Sequence, residues 1–425
     1  MRLKCFAASM SAGTAWRNAV LLANKGEIMD LPLSGTVVLD LSQIYNGPYA
    51  TFLMAASGAD VIKIEPPDGE HLRRRTTVAR NPILPYAMLN AGKRSLRLDL
   101  KQPAGRDVLL RLADSADVLV ENFVPGVMDK LGVGAAVVRA RNPRLVYASS
   151  SGYGANGPYR DYPAMDLTAQ AMSGIMSVTG HPGEPPLKAG PALCDFNAGV
   201  HLYGAIVTAL LQRARTGRGC AVEVSMLEAS YFTLASNLGM IHAEPDRPYA
   251  RTGNRHGGLT LCPYNVYPAK DGHIAIIVNH EGHWKSLLTA LGQDALIDDA
   301  RYSSMQKRAS RMDEVDGLIS SWTRVLARDE LFTRLVARRV PCAPVRDLVE
   351  VMHDAHLHAR GALRWVEHPG LGRIAAPASP LRFDGQALLP DPPSVPLGTH
   401  SREILREKLD LGEADLDALA AAGVI

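Results

Sequence analysis

Cysteine is scarce in this sequence. Cys5, Cys194, Cys220, Cys262 and Cys342 are odd in number, widely spaced, and never form a Cys-x-x-Cys pair. Neither a disulfide framework nor a structural zinc site is suggested, and a reducing compartment is the simple expectation. An excess of one charge is lacking too. The 46 basic and 43 acidic residues leave a formal charge of +3, too little for a nucleic-acid partner, though one local basic groove stays open. Long apolar runs are also missing. None approaches the roughly 18 residues that cross a bilayer, so no membrane partner is expected.

What is present is ordinary globular composition, 47% hydrophobic and 21% charged over 425 residues. That length exceeds what one core usually organises, so two domains are expected. The first 28 residues carry Arg2, Lys4, Arg17 and Lys25 against one acid, Glu27. Poor periodicity and Met29 just before the first strand favour an upstream start or a disordered extension over 1–29. A transit peptide is the alternative. The expected location is cytoplasmic, or an organelle matrix in that alternative.

Short apolar runs alternate with helical stretches through the first half. Strands are expected at 36–41, 61–64, 95–98, 118–120, 145–149 and 222–225, with helices at 49–57, 105–113 and 198–213. This alternation predicts an open, Rossmann-like α/β domain with a parallel sheet. A Pro/Gly/His-rich stretch at 245–258 reads as a linker or mobile loop. A smaller α+β segment follows, with a strand at 273–278 and helices around 284–291 and 311–327. The tail adds a strand at 372–375 and one amphipathic helix. The expected division is 30–235 with 340–425 as the large domain, and 236–339 as linkers and small domain.

Several motifs invite a sharp reading. Gly152, Gly154 and Gly157 satisfy G-x-G-x-x-G directly after a strand. Pro158 and Pro163 follow at once and disfavour the helix that a dinucleotide site needs. His353, His356 and His358 cluster, but His358 shares no helical face with the other two, so no metal site is expected. Arg73, Arg74, Arg75, Lys93, Arg94, Lys101 and Lys130 read singly as solvated surface. At the C-terminal ends of strands some could meet a polyphosphate. Asp166 and Asp195 stand at loop-to-helix junctions, where Asp commonly caps a helix. Such a place also suits a carboxylate nucleophile, because backbone donors and the helix N-terminus favour its ionised form.

Taken in order, the segments VVLDLSQIYNGPYA, GADVIKIEPP, KRSLRLDLK, VENFVPGVMDKLG, MDLTAQAMSG, PALCDFNAG, RTGNRHGG and PLGTHSREIL form a specific pattern. The chain resembles the family III CoA transferases, the group of formyl-CoA, crotonobetainyl-CoA and succinate–hydroxymethylglutarate CoA transferases, over about residues 33–425. The resemblance implies a large α/β domain completed by the returning C-terminal tail, a smaller domain between them, and two subunits interlocked as a homodimer. It implies coenzyme A and acyl-CoA as substrates with a small carboxylic acid, and no tightly bound cofactor.

It further implies that Asp195 is the nucleophile, with Asp166, Gly257 and Gly258 in support; the stretch from Gly253 to Gly258 would keep water from activated intermediates. CoA contacts carried over are Tyr45, Asn46, Leu98, Lys101, Asn122, Phe123 and Lys130. Lys130 stands where relatives often have Arg, which keeps charge without the forked geometry. Pro66 stands where some relatives carry a basic side chain. An acyl-CoA racemase would need a proton-carrying residue beside Asp166, and Met165 cannot serve. An intramolecular CoA-shifting isomerase would use the same Asp195 chemistry. A non-catalytic CoA-binding protein is the alternative of another class. A second carboxylate of the acid could be anchored by one of Arg73 to Arg75 or by His256.

Overall fold

The structure is a computed structural model that describes residues 31–74, 84–246, 251–388 and 390–425. The expected extension over 1–29, Cys5 and Arg75 lie outside these residues. The chain packs as two units, each described by itself.

The first unit comprises the described residues up to Asp166 together with Ala192–Ala229 and Asp354–Ile425. It opens with β1 (Val37–Asp40), α1 (Asn46–Ala56) and β2 (Asp60–Glu65). Then come β3 (Arg94–Arg97), α2 (Pro103–Ala113), β4 (Val118–Glu121), α3 (Ala135–Arg141) and β5 (Val146–Ser151). The long α5 (Leu193–Thr216) follows α4, which begins at Asp166 (Asp166–Met172), and leads into β6 (Ala221–Ser225). All six strands pair in parallel in the order β3-β2-β1-β4-β5-β6.

Successive strand residues point to opposite faces, so each apolar run feeds two cores at once. On β1, Leu39 packs with Ile62, Leu96 and Leu119 beneath α2 and α3, whereas Val38 packs with Val61, Val118 and Val146 beneath α1 and α5. Gly58, at φ +96°, ends the first helical stretch; a Cβ there would come within 2.6 Å of Leu31, so only glycine fits.

The tail returns to this unit, as the resemblance implies. The hairpin of β10 (Leu363–His368) and β11 (Gly372–Pro377) precedes α9 (Ser401–Leu409) and α10 (Glu413–Ala421). Ile404, Leu405, Leu416, Val424 and Ile425 enter the core under α2. The edge strand β3 is closed by tail atoms: Ser95 N donates to His400 Nδ1 at 3.1 Å and Arg97 N to Ser401 Oγ at 3.1 Å. Where one terminal helix was expected there are two, parted at Asp410, which adopts φ 54°.

One expectation about long apolar segments needs correcting. By length and composition α5 could cross a bilayer. Its Leu202, Ile206 and Ala209 are instead buried against the sheet, which is the place of a core helix.

The second unit comprises Leu167–Pro191 and Ser230–His353; it starts before and ends after the 236–339 range expected for the small domain. Its sheet is antiparallel, with β7 (Tyr264–Ala269) and β9 (Cys342–Pro344) flanking β8 (Gly272–Ile277). Helices α6 (Glu281–Ala290), α7 (Met312–Thr323) and α8 (Arg328–Ala337) cover it. The single helix expected over 311–327 ends at Thr323, and α8 is separate. Trp284, Leu287, Ile319 and Leu331 fill this core.

Candidate active site

Strand order reverses between β1 and β4, and in such sheets ligands bind at the carboxyl ends of the strands beside that reversal. The turn after β1, residues 42–48, lies there. Asn122, just past β4, ties it down. Asn122 Oδ1 accepts from Gln43 N at 2.7 Å, and its Nδ2 donates to Gln43 O and Asn46 Oδ1, both at 2.8 Å. Gly47 is required by space: a Cβ there would lie 2.2 Å from Cβ of Ser42. The sequence-predicted Tyr45, Asn46 and Asn122 are thus brought together, with Phe123 next in the chain.

The turn also meets α5. Tyr45 stacks on Phe196 with ring centroids 5.7 Å apart, and Tyr49 meets the same ring edge-on at 5.1 Å. A Cβ on Gly199 would lie 2.6 Å from Asn46 O, so the helix backbone runs hard against the turn. Asp195 therefore occupies the helical turn that rests on this loop.

Asp195 does not cap its own helix as the sequence suggested. The residue before α5 is Ala192, which offers no side-chain cap, and Asp195 is the helix's third residue. The cap comes from a distance: Asp166 Oδ1 accepts from Cys194 N at 2.8 Å and from Asp195 N at 3.2 Å. Burial first, and the charge of Asp166 second, push the Asp195 carboxyl up to about 7. A helix N-terminus pulls in the opposite direction.

The remaining predicted contacts scatter. Leu98 is buried in the sheet core, so its side chain serves packing. Lys101 and Lys130 are exposed. Lys93 and Arg94, read as surface charges, are buried at 3% and 8% exposure. Lys93 pairs with Asp40 and Arg94 with Asp60 and Glu407, because both sit where the edge strand is covered. Arg73 is likewise engaged, with a two-pronged bond to Glu65 at 2.7 and 2.9 Å and one to Val395 O at 3.0 Å. Arg74 is exposed. His256, Gly257 and Gly258 belong to the second unit, where His256 Nδ1 accepts from Gly258 N at 3.2 Å. In the same loop Arg255 binds Asp316 at 2.7 Å.

Sequence reasoning missed Glu121 and Tyr147. A cavity of about 430 Å³ opens beside the ends of β4, β5 and β6, lined by Glu121, Phe123, Gly126, Tyr147 and Arg160 among others. Glu121 accepts from Phe123 N at 2.8 Å, yet burial pushes its carboxyl up to about 7. The one available signal was an acid closing an otherwise apolar strand.

After Gly152, Gly154 and Gly157 the chain runs through turns to α4, beyond both prolines. His353 and His356 are exposed, and His358 stacks on Trp365 at 5.9 Å. Among the described residues no three His, Cys, Asp or Glu side chains converge to hold a metal.

The family described as CoA-transferase family III matches residues 33–401. A formyl-CoA:oxalate CoA-transferase of Streptomyces avermitilis is 35% identical over 414 residues, spanning 93% of this chain and all (100%) of that protein. A succinate–glutarate CoA-transferase of Agrobacterium fabrum is 34% identical over 88% of this chain and 95% of its own length. The crystal structure of a CAIB/BAIF family protein from Brucella suis superposes with a TM-score of 0.79 at 31% identity, over 89% of this chain and 100% of that one.

Proposed function

The chain belongs to CoA-transferase family III, and from that premise we propose that it moves coenzyme A from an acyl-CoA to a small carboxylic acid through covalent attachment to Asp195. The observation that carries the reading is the placement of Asp195. It stands in the first turn of α5, against the switch-point turn of Tyr45 and Asn46, with its carboxyl held near neutrality.

The ionised Asp195 oxygen attacks the thioester carbonyl. The C–S bond breaks, giving an aspartyl–acyl anhydride and CoA thiolate. The thiolate attacks the aspartyl carbonyl, forming an aspartyl-CoA thioester and releasing the donor as its carboxylate. An acceptor carboxylate then runs the two steps in reverse. No net proton is consumed. The half-buried position of Asp195 suits this sequence only if its cover is completed, since both intermediates hydrolyse if water reaches them. Tyr45, Asn46, Asn122 and Phe123 would contact CoA. Lys101 and Lys130, both exposed, could meet its phosphates. Gly257 and Gly258 would serve water exclusion.

The names of the relatives, with formyl, oxalate, succinate and glutarate, support one- to five-carbon acids as the substrate class, and succinyl-CoA as a first donor to try. An interlocked homodimer is part of the same reading. On α5, Val200 and Leu211 are 49% and 57% exposed, apolar surface that a second copy would cover.

The test is mass spectrometry after incubation with succinyl-CoA and a panel of short acyl-CoA donors, with and without hydroxylamine. A hydroxylamine-sensitive CoA adduct on the Asp195 peptide, absent from Asp195→Ala, is the expected result. An adduct that persists in Asp195→Ala, or none with any donor, overturns the assignment.

A further inference from the structure

Beneath the switch-point turn lies a group of fully buried charges that the proposed chemistry does not use. Asp40, at the end of β1, is 0% exposed; Lys63 on β2 is 1% and Lys93 before β3 is 3% exposed. Two ammonium groups face the Asp40 carboxylate, with the buried Glu65 acting on Lys63 and the buried Glu70 on Lys93. Buried ions are costly unless geometry and further hydrogen bonds compensate, so what these groups hold is informative.

They hold both ends of the turn. Asp40 Oδ1 accepts from Ser42 N at 2.9 Å and from Ser42 Oγ at 2.5 Å. Lys63 Nζ donates to Ser42 O and lies 3.8 Å from Asp40. At the far end, Lys93 Nζ shares its three N–H donors among four acceptors within reach, Pro48 O at 3.1 Å, Thr51 Oγ1 at 2.8 Å, Asn90 Oδ1 at 2.9 Å and Asp40 Oδ2 at 3.0 Å. Thr51 in turn donates to Asp40 Oδ2 at 2.7 Å. Although burial pushes the Asp40 carboxyl up, Lys63 and Lys93 outweigh it and keep Asp40 well below the usual carboxylate range.

Between these two fixed ends the backbone is strained. Ile44 adopts φ 66°, a conformation that a β-branched residue takes only where its surroundings over-determine it. Its amide is held by Glu70 Oε2 at 3.2 Å. The turn so fixed carries Tyr45 and Asn46 and meets α5 through Phe196 and Gly199.

We propose that the Asp40–Lys63–Lys93 centre is a positioning device that holds the 42–48 turn in the shape that receives CoA. This rests on the reading of the chain as a CoA-transferase. The three residues touch no substrate; they act through Ser42, Pro48 and Thr51 on Tyr45 and Asn46.

The decisive variant is Lys93→Met, which leaves Asp40 and Lys63 as a neutral pair, and CoA affinity is read by calorimetric titration of the full chain. The expected result is a Kd for CoA raised about tenfold per folded molecule, equal to about 1.4 kcal/mol, with the fitted stoichiometry unchanged. Thr51→Val, which removes one link at each side of the same centre and keeps shape, is expected to raise Kd in the same direction, and it decides the matter if Lys93→Met does not fold. A folded variant with lower melting temperature but unaltered Kd would mean that the centre is merely structural, and that overturns the proposal. The two readings fail separately. Wild-type protein that binds no CoA sinks the function itself. Wild-type binding with an unmoved Kd in the folded variants sinks only the positioning role.

Discussion

Asp166 and Asp195 share one contact that acts on Asp195 in two ways. The Asp166 carboxylate accepts the Cys194 and Asp195 amides at 2.8 and 3.2 Å, which fixes the first turn of α5. The same negative charge, added to burial, raises the Asp195 carboxyl to about 7. A group held this way is expected to leave marks on both stability and rate.

The mark on stability follows from linkage. An acid whose folded-state pKa lies above its unfolded value stabilises the fold below the unfolded value, and loses that contribution as pH rises through the folded one. For Asp195 the window runs from 3.8 to about 7. Asp195→Asn removes the charge throughout. Its melting temperature is therefore expected to exceed wild type by a few °C at about pH 8 and to match it near pH 4, a difference on the order of a few kcal/mol. Thermal unfolding of ligand-free protein at the two pH values checks this; an equal offset at both would mean that Asp195 is not raised.

The mark on rate is read through Asp166→Asn. Asparagine keeps an acceptor for the two amides but removes the charge. Burial, the larger cause, remains, so the acidic limb of the acylation rate is expected to move down by about half a unit to one unit. Asp166→Ala should move it similarly and also lower stability by about 1 kcal/mol through the lost cap. Single-turnover adduct formation against pH separates the two. A limb that stays in place in both variants rules out charge coupling between the aspartates.

Why the bond between these two was hidden while the sheet was legible is a matter of range. The runs at 37–40, 60–65 and 118–121 carry their strand character in adjacent residues, and helices between them force parallel pairing. Asp195 stood out because a local motif repeats a family pattern. The Asp166 cap joins residues 28 and 29 positions apart, and no local pattern carries it. Lys93 misled for a related reason. A lysine is nearly always solvated, and its burial depends on Asp40, 53 positions away.

Arg73 separates a structural charge from a substrate anchor. The sequence made it a candidate for the second carboxylate of an acid, yet its guanidinium is committed to Glu65, Val395 O and the face of Tyr86, 3.9 Å from the ring centre. Removing it takes the ion pair from Glu65, which is 1% exposed and keeps only neutral donors, Tyr86 Oη, Ser95 Oγ and Glu70 N. Arg73→Met is thus expected to cost about 3 kcal/mol of stability or more, with KM for the acceptor acid unchanged in the fraction that folds. Arg74, exposed on the same segment, is the fairer candidate, and Arg74→Ala is expected to raise that KM with no loss of stability. The reverse pattern would return Arg73 to the anchor role.

The last residues of the chain test how far the CoA side depends on the returning tail. Val424 is 1% exposed and its carbonyl accepts from Asp99 N at 2.9 Å; the Ile425 backbone oxygen accepts from Arg97 Nη1 at 3.0 Å. These bonds fasten the segment just past edge strand β3, which includes Leu98 and precedes Lys101. Deleting Gly423 to Ile425 removes two buried apolar side chains and leaves Asp99 N without its partner. A loss of about 3–5 kcal/mol is expected from the exposed core, together with weaker CoA binding as the Lys101 segment loosens. Val424→Ala keeps the backbone bond and opens only a small cavity, so it should cost about 1–2 kcal/mol and leave CoA affinity alone. Melting temperature and CoA titration on the two proteins distinguish packing from fastening. If the deletion weakens CoA no more than Val424→Ala does, the tail serves the core without reaching the site.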